Sequence, residues 1–187
     1  DGDERVDPST LLGSLDLDAS IPGVDDPAPG PGAGMDMLAE FIEQRLDDYD
    51  EARNDPSRDG TSRLSPYLHF GQLSPQRAAW EVRVADRGGT DAFIEEAVVR
   101  RELADNYCHF EPRYASTGAF PDWARTTLED HLPDPRERVY DAAELEEART
   151  DDELWNAAQR QMVRKGWMHG YMRMYWAKRL LVWTPTP

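Results

Sequence analysis

Thr61-Ser62-Arg63-Leu64-Ser65-Pro66 sets three hydroxyls and a cation side by side, just ahead of a helix-starting proline. Hydroxyls, loop N–H groups and a helix N-terminus together make an anion site, so a phosphate or pyrophosphate suits this segment. Alone the pattern is weak, because Ser and Thr cap helices generally. A second concentration of chemistry lies towards the other end. From Leu154 onward there is no Asp or Glu, yet this stretch holds six of the 21 basic residues and four of the six Trp. In a chain of net charge -16 it is a positive, aromatic field set against the global one. Basic side chains interleaved with aromatic rings suit phosphates and flat ring systems. The competing reading is a packed amphipathic helix pair, since Trp and Met at helical spacing are usually core.

Other chemistries find little support. His69, His109, His131 and His169 have no Cys or His partner at metal-ligand spacing, so no metal is expected. No nucleophile–base pair stands out, which argues against hydrolysis. The single cysteine, Cys108, excludes an internal disulfide framework and fits a reducing compartment. There is no apolar run of membrane-spanning length and no signal peptide, so a soluble, cytoplasmic protein is expected. Abundant Asp and only two Lys, Lys165 and Lys178, point to a halophilic source. Plain maintenance of solubility is the alternative.

The elements that must position these groups read as helices. Residues 1–33, rich in Asp, Pro and Gly, read as a linker, and a chain opening in linker looks cut from a longer protein. From Met35 the stripe Met35, Leu38, Ile42, Leu46, Tyr49 predicts a first helix. Asn54–Gly60 supplies turn chemistry. Ser74-Pro75 opens a helix to about Ala85, which Gly88 and Gly89 end. Thr90 caps a long helix to about Cys108. Pro121 restarts helix through Trp123 and Leu128 until Asp134-Pro135. A short acidic helix covers 141–149. Asp151 caps one through Leu154, Trp155, Ala158 and Met162 that Gly166 stops, and a last helix runs from about Trp167 to Trp183. With no strand or repeat signal, the expected class is all-α, as one domain over 34–187.

Three ordered segments carry a family resemblance. TSRLSPYLHFGQLSP resembles the flavin-phosphate segment of the photolyase and cryptochrome family. EEAVVRRELADNYCHF and LWNAAQRQMVRKGWMHGYMRMYWAKRLLVW resemble class II cyclobutane-pyrimidine-dimer photolyases, whose WMH and RM elements recur here. The resemblance implies the helical FAD-binding catalytic domain of a light-driven DNA-repair enzyme, a deoxyribodipyrimidine photo-lyase acting as a monomer on ultraviolet-damaged DNA. Thr61, Ser62, Leu64 and Ser65 would line the FAD phosphates and ribityl chain. Tyr49 and Phe93 would pack beside the flavin, and Arg173 would help hold its reduced anion. Glu96 would hydrogen-bond the pyrimidine dimer and stabilise its radical anion. Trp155, Trp176 and Trp183 resemble the tryptophan chain that feeds electrons to the flavin. Trp176 and Trp183, two turns apart, would share one helix face about 10 Å apart along the axis. Arg53, Arg100 and Met174 would face DNA, although each arginine could instead make a surface ion pair of little energetic weight.

Glu95 reads as a solvated helix residue. Trp80, Trp123 and Trp167 read as packing, and Met168 and Met172 as filler. The chain lacks the family's α/β antenna-type domain and stops at Pro187, before the segment that grips adenine and faces flavin N5. A truncated domain, incomplete at its C-terminus, is therefore expected. Two rival readings stand beside this one: a cryptochrome-like photosensor without repair, and a cofactor-free helical nucleic-acid-binding module.

Overall fold

A computed structural model of the chain describes residues 7–17, 23–24 and 26–186, and every regular element among them is helical. No helix of the described residues is long and apolar enough to cross a membrane. Within the stretch read as linker, α1 (Pro8–Gly13) is capped by Asp7 and wholly exposed. Residues 1–6, 18–22 and 25 of that stretch lie outside the described residues. Residues 28–30 are tied to the body of the fold. The Tyr67 hydroxyl donates to the Ala28 carbonyl at 2.8 Å, and the Gly30 N–H donates to Gln72 Oε1 at 2.9 Å.

The first apolar stripe forms α2 (Pro31–Gln44), whose Leu38 and Phe41 are buried. It is shorter than the stripe predicts. Leu46 and Tyr49 are buried too, but they lie past the helix end, Leu46 on the turn and Tyr49 at the start of α3 (Tyr49–Ala52). The cause is the glycine pair at the other side of the contact. The Gly89 N–H donates to the Leu46 carbonyl at 2.9 Å, and a Cβ at Gly89 would sit 2.1 Å from that oxygen. Gly88 and Gly89 therefore serve close backbone approach. It is Asp86, in the left-handed conformation, that terminates α5 (Pro75–Ala85).

Ser74 caps α5 through its hydroxyl to Arg77 N–H, with Pro75 at the first helical position, as the sequence predicts. α4 (Ser65–His69) precedes it. Next, α6 (Thr90–Ile94), a π-helical turn (Glu95–Arg100) and α7 (Arg101–Phe110) follow one another without a break, giving the predicted long helix. Gly89, not Thr90, is the cap residue. The Thr90 hydroxyl accepts from Arg87 N–H at 2.9 Å instead. A core of Leu38, Phe41, Leu46, Tyr49, Leu64, Tyr67, Val82 and Phe93 joins these elements. Each such large apolar side chain contributes about 1.5–3 kcal/mol when fully buried.

After α8 (Asp122–Asp130), α9 (Ala142–Glu146) carries a capping box between Asp141 and Glu144. α10 (Glu153–Lys165) is capped by Asp152, which accepts from Trp155 N–H at 2.9 Å; the expected cap, Asp151, instead pairs with Arg138 at 2.6 Å. Gly166 ends α10 in the left-handed conformation. α11 (Gly170–Trp183) starts later than predicted, because Trp167–His169 forms a non-helical link. The α10–α11 pair closes a second core around Tyr140, Trp155 and Trp183.

His169, 3% exposed, caps α11: its Nδ1 accepts from Tyr171 N–H at 3.1 Å. Nδ1 is therefore unprotonated and Nε2 carries the hydrogen. Burial holds this imidazole below its ordinary value of 6.5; Arg173 adds to the effect and Asp55 opposes it. The unfolded chain thus binds the proton at higher pH than the folded one. The cap's contribution is complete above about pH 6.5 and declines as pH falls below it. His169→Asn keeps a capping acceptor that does not titrate. Comparing thermal unfolding at neutral and mildly acidic pH, we expect a smaller acid loss in His169→Asn than in the parent. Equal losses would contradict the titration.

Candidate functional site

One cavity of about 650 Å³ gathers most of the residues singled out in the sequence. Its floor is the hydrophobic core surfacing through Tyr49 and Phe93, whose ring centroids lie 6.0 Å apart. One wall is the hydroxyl segment, with Thr61, Ser62 and Ser65 leading into α4. The opposite wall is the π-turn, which presents Glu96 and Ala97. The link before α11 closes the remaining side with Trp167 and Met168, and Gly170 and Arg173 follow from the first turn of α11.

The local geometry suits an anion. Thr61 Oγ1 is buried and has no hydrogen-bond partner. Arg53 Nε is buried and unpartnered as well. Buried polar atoms in this condition are costly unless a ligand or water satisfies them. Arg53, Arg63, Arg101 and Arg173 line the cavity against only Glu96 and Asp105. In a chain of net charge -16 this is a local cationic pocket, and low-dielectric walls focus its field. These donors fit the phosphates of a dinucleotide such as FAD, and the aromatic floor fits a flat ring.

Arg53 Nη1 donates to Glu96 Oε1 at 2.6 Å, across 43 residues of sequence. The guanidinium also lies 5.8 Å from the Tyr49 ring centroid. Burial pushes the Tyr49 phenol up; Arg53 opposes that shift and Glu96 adds to it. Tyr49 is thus a neutral donor at physiological pH. The π-turn widens the helix where Glu96 projects, and such turns recur at functional sites.

Not every sequence candidate reaches the cavity. Leu64 is 0% exposed and packs in the core behind the lining. Its N–H is held by Ser62 Oγ at 3.4 Å. Arg100 is outside the lining and pairs with Glu95 at 2.9 Å. Met174 is exposed and outside the lining. Trp80 and Trp123, read as packing, are 66% and 74% exposed. Trp167, also read as packing, lines the cavity, with the Arg63 guanidinium 5.8 Å from its ring centroid. Met168, read as filler, is a buried part of the same wall.

Sequence reading missed Arg101 and Trp167 as wall residues. Arg63 was visible as the cation inside the hydroxyl segment. It adopts φ 56°, a left-handed conformation rare for a side-chain-bearing residue. An ion pair with Asp59 at 3.0 Å holds it there.

The three tryptophans of the resemblance form one cluster. Trp155, from α10, lies between the other two, stacked on Trp176 at 5.9 Å with 6° between planes and edge-on to Trp183 at 5.5 Å. The Trp155 indole N–H donates to the Trp176 carbonyl at 3.1 Å, and the Trp176 indole N–H donates to Gln159 Oε1 at 2.9 Å. Trp176 sits three residues after Arg173, about 4.5 Å further along the α11 axis. The cluster and the cavity therefore share one helix.

An all-helical domain with a cationic, aromatic-floored cavity is what the fold and site define. No protein-family model matches the chain. It is 46% identical over 187 residues to the deoxyribodipyrimidine photo-lyase of Potorous tridactylus, covering 98% of this chain and 35% of that protein. It is 47% identical over 158 residues to the deoxyribodipyrimidine photo-lyase of Methanothermobacter thermautotrophicus, covering 84% of this chain and 35% of that protein. Among solved structures, a bacterial class III photolyase from Agrobacterium tumefaciens matches with a TM-score of 0.63 and 26% identity, over 82% of this chain and 31% of that one. This chain spans about a third of the length of the curated relatives it matches. Over that span its similarity is to photolyases.

Proposed function

We propose that this segment forms the flavin-binding, lesion-facing part of a class II type photolyase that repairs cyclobutane pyrimidine dimers in DNA. The observation that carries the reading is the single cavity in which Tyr49, Thr61, Ser62, Ser65, Phe93 and Arg173 meet Arg53 and Glu96. Thr61 and the neighbouring serines donate to the cofactor phosphates, and Arg63 and Arg173 offset their charge. Tyr49 and Phe93 flank a flat ring and keep water from it. When bound, reduced FAD supplies a light-excitable electron that opens the cyclobutane ring and is then recovered.

Arg53 fixes the Glu96 carboxylate through Oε1. With a proton on the remaining oxygen, Oε2, Glu96 donates to a pyrimidine carbonyl and stabilises the negative charge that develops there. A dimer is already poorly paired, so flipping it out of the duplex costs less than flipping a sound base. Arginines at the mouth meet phosphates, and binding should weaken as salt rises. With a surface this acidic, fit and stacking in the lesion pocket must supply more of the selectivity. The Arg53–Glu96 arrangement favours repair over a signalling photosensor.

Flavin fluorescence titration tests the phosphate site. Thr61→Val removes the orphan hydroxyl at nearly constant volume. A lost hydrogen bond to a charged group is worth about 1.5–3 kcal/mol, so affinity for FAD should fall on the order of tenfold or more. Affinity equal to that of the parent would remove Thr61 from the phosphate site. A protein that takes up no flavin would overturn the reading.

A further inference from the structure

The indole cluster has a neighbour that none of the three tryptophans resembles chemically. Tyr175, on α11, packs against the cluster, and its hydroxyl donates to Asp152 Oδ2. The other oxygen, Asp152 Oδ1, accepts from the Trp155 backbone N–H at 2.9 Å, so the carboxylate is held between the tyrosine hydroxyl and the first turn of α10. Arg179 Nε lies 3.5 Å from Asp152 Oδ2. Its guanidinium is 5.3 Å from the Tyr175 ring centroid and 5.5 Å from that of Trp183.

We propose that Tyr175, with Asp152 as its proton acceptor, is a redox site at which an electron vacancy in the tryptophan cluster comes to rest. The proposal rests on the flavin reading for its natural oxidant, photoexcited oxidised flavin, which takes one electron from the cluster. Tyr175 then gives one electron to an indole radical cation, restoring the neutral indole. Its O–H proton passes to the Asp152 carboxylate, leaving a neutral tyrosyl radical and a neutral carboxylic acid. One electron and one proton move, and the sum of charges is unchanged.

Each alternative resting place lacks a proton acceptor or is repelled. The Trp155 and Trp176 indole N–H groups bond amide oxygens, which do not take a proton at this cost. A cation on Trp183 would face the Arg179 guanidinium. Tyr140 packs edge-on to Trp183 at 5.3 Å, but its oxygen accepts from Asp151 N–H at 3.0 Å. Its own proton has no acceptor among the described residues. A neutral tyrosyl beside Arg179 carries no such repulsion. Burial raises the Asp152 carboxyl, but the Tyr175 hydrogen bond, backbone N–H groups and Arg179 together bring it below the usual carboxylate range. The acceptor is therefore ionised and ready at neutral pH.

The test needs no flavin. In the 187-residue chain carrying Trp80→Phe and Trp123→Phe, azide radicals made by pulse radiolysis oxidise indoles. Transient absorption then follows indolyl decay and tyrosyl growth. The expected result is a tyrosyl phase matched to indolyl decay, lost in Tyr175→Phe, slowed in Asp152→Asn and unchanged in Tyr140→Phe. Both informative variants are conservative: phenylalanine keeps the ring, and asparagine keeps a helix cap. A phase that survives Tyr175→Phe, or one absent from the parent, overturns the proposal. Failure of the flavin reading would show separately, as absent flavin uptake with this phase intact.

Discussion

Trp176→Phe is expected to abolish most of the light-driven reduction of bound oxidised flavin. The ring stays aromatic and fills nearly the same space, so packing against Trp155 is largely kept. What disappears is the readily oxidised indole and its bond to Gln159 Oε1, the latter worth about 1 kcal/mol. Trp176 is the cluster member nearest in sequence to a cavity residue, Arg173, and it stacks almost parallel on Trp155. An electron entering the cavity from Trp155 or Trp183 then lacks its intermediate step. The measurement is the photoreduction rate in the flavin-loaded protein with an external reductant present. Trp123→Phe, at an exposed position, serves as the control and should leave the rate alone. An unaltered rate in Trp176→Phe would take this residue off the electron path.

Trp155→Ala should destabilise the protein by about 3–5 kcal/mol, as large-to-small changes at buried aromatic positions do. Trp155 is 0% exposed, lies between two other indoles and donates to the backbone of the facing helix. Removing it empties the seam between α10 and α11 and leaves the Trp176 carbonyl without that donor. Against a typical total stability of about 5–15 kcal/mol, such a loss would unfold the C-terminal helix pair readily. Urea unfolding monitored by far-ultraviolet circular dichroism reads the cost. A loss under about 1 kcal/mol would show that the seam is not cooperative with the rest.

Much of the helical plan was legible because it rests on local rules. Ser74-Pro75 states its helix start outright, and Gly166 states a stop. The errors were of one or a few residues and have tertiary causes. Asp151 and Asp152 are equivalent as caps in sequence, and pairing with Arg138 draws Asp151 away. The stripe to Tyr49 kept its period while the helix ended at Gln44, because Leu46 and Tyr49 remain buried through contact with Gly89. The π-turn left no mark, since Phe93, Ile94, Ala97 and Val98 fit an ordinary helix as well.

The site was legible where chemistry repeats in a short run, as in the hydroxyl segment. It was illegible where residues far apart converge. Nothing local pairs Arg53 with Glu96, sets Arg63 over Trp167, or places Tyr175 on Asp152. Leu64 illustrates the reverse error, for it sits inside the hydroxyl run yet turns into the core.

The most direct test replaces the matching region of the Potorous tridactylus photo-lyase with this chain and measures light-dependent loss of thymine dimers from ultraviolet-irradiated DNA. The expected result is a folded yellow protein that removes dimers in light and not in the dark. A folded chimera that is colourless, or that leaves dimers untouched under illumination while the unaltered relative repairs them, would contradict the account.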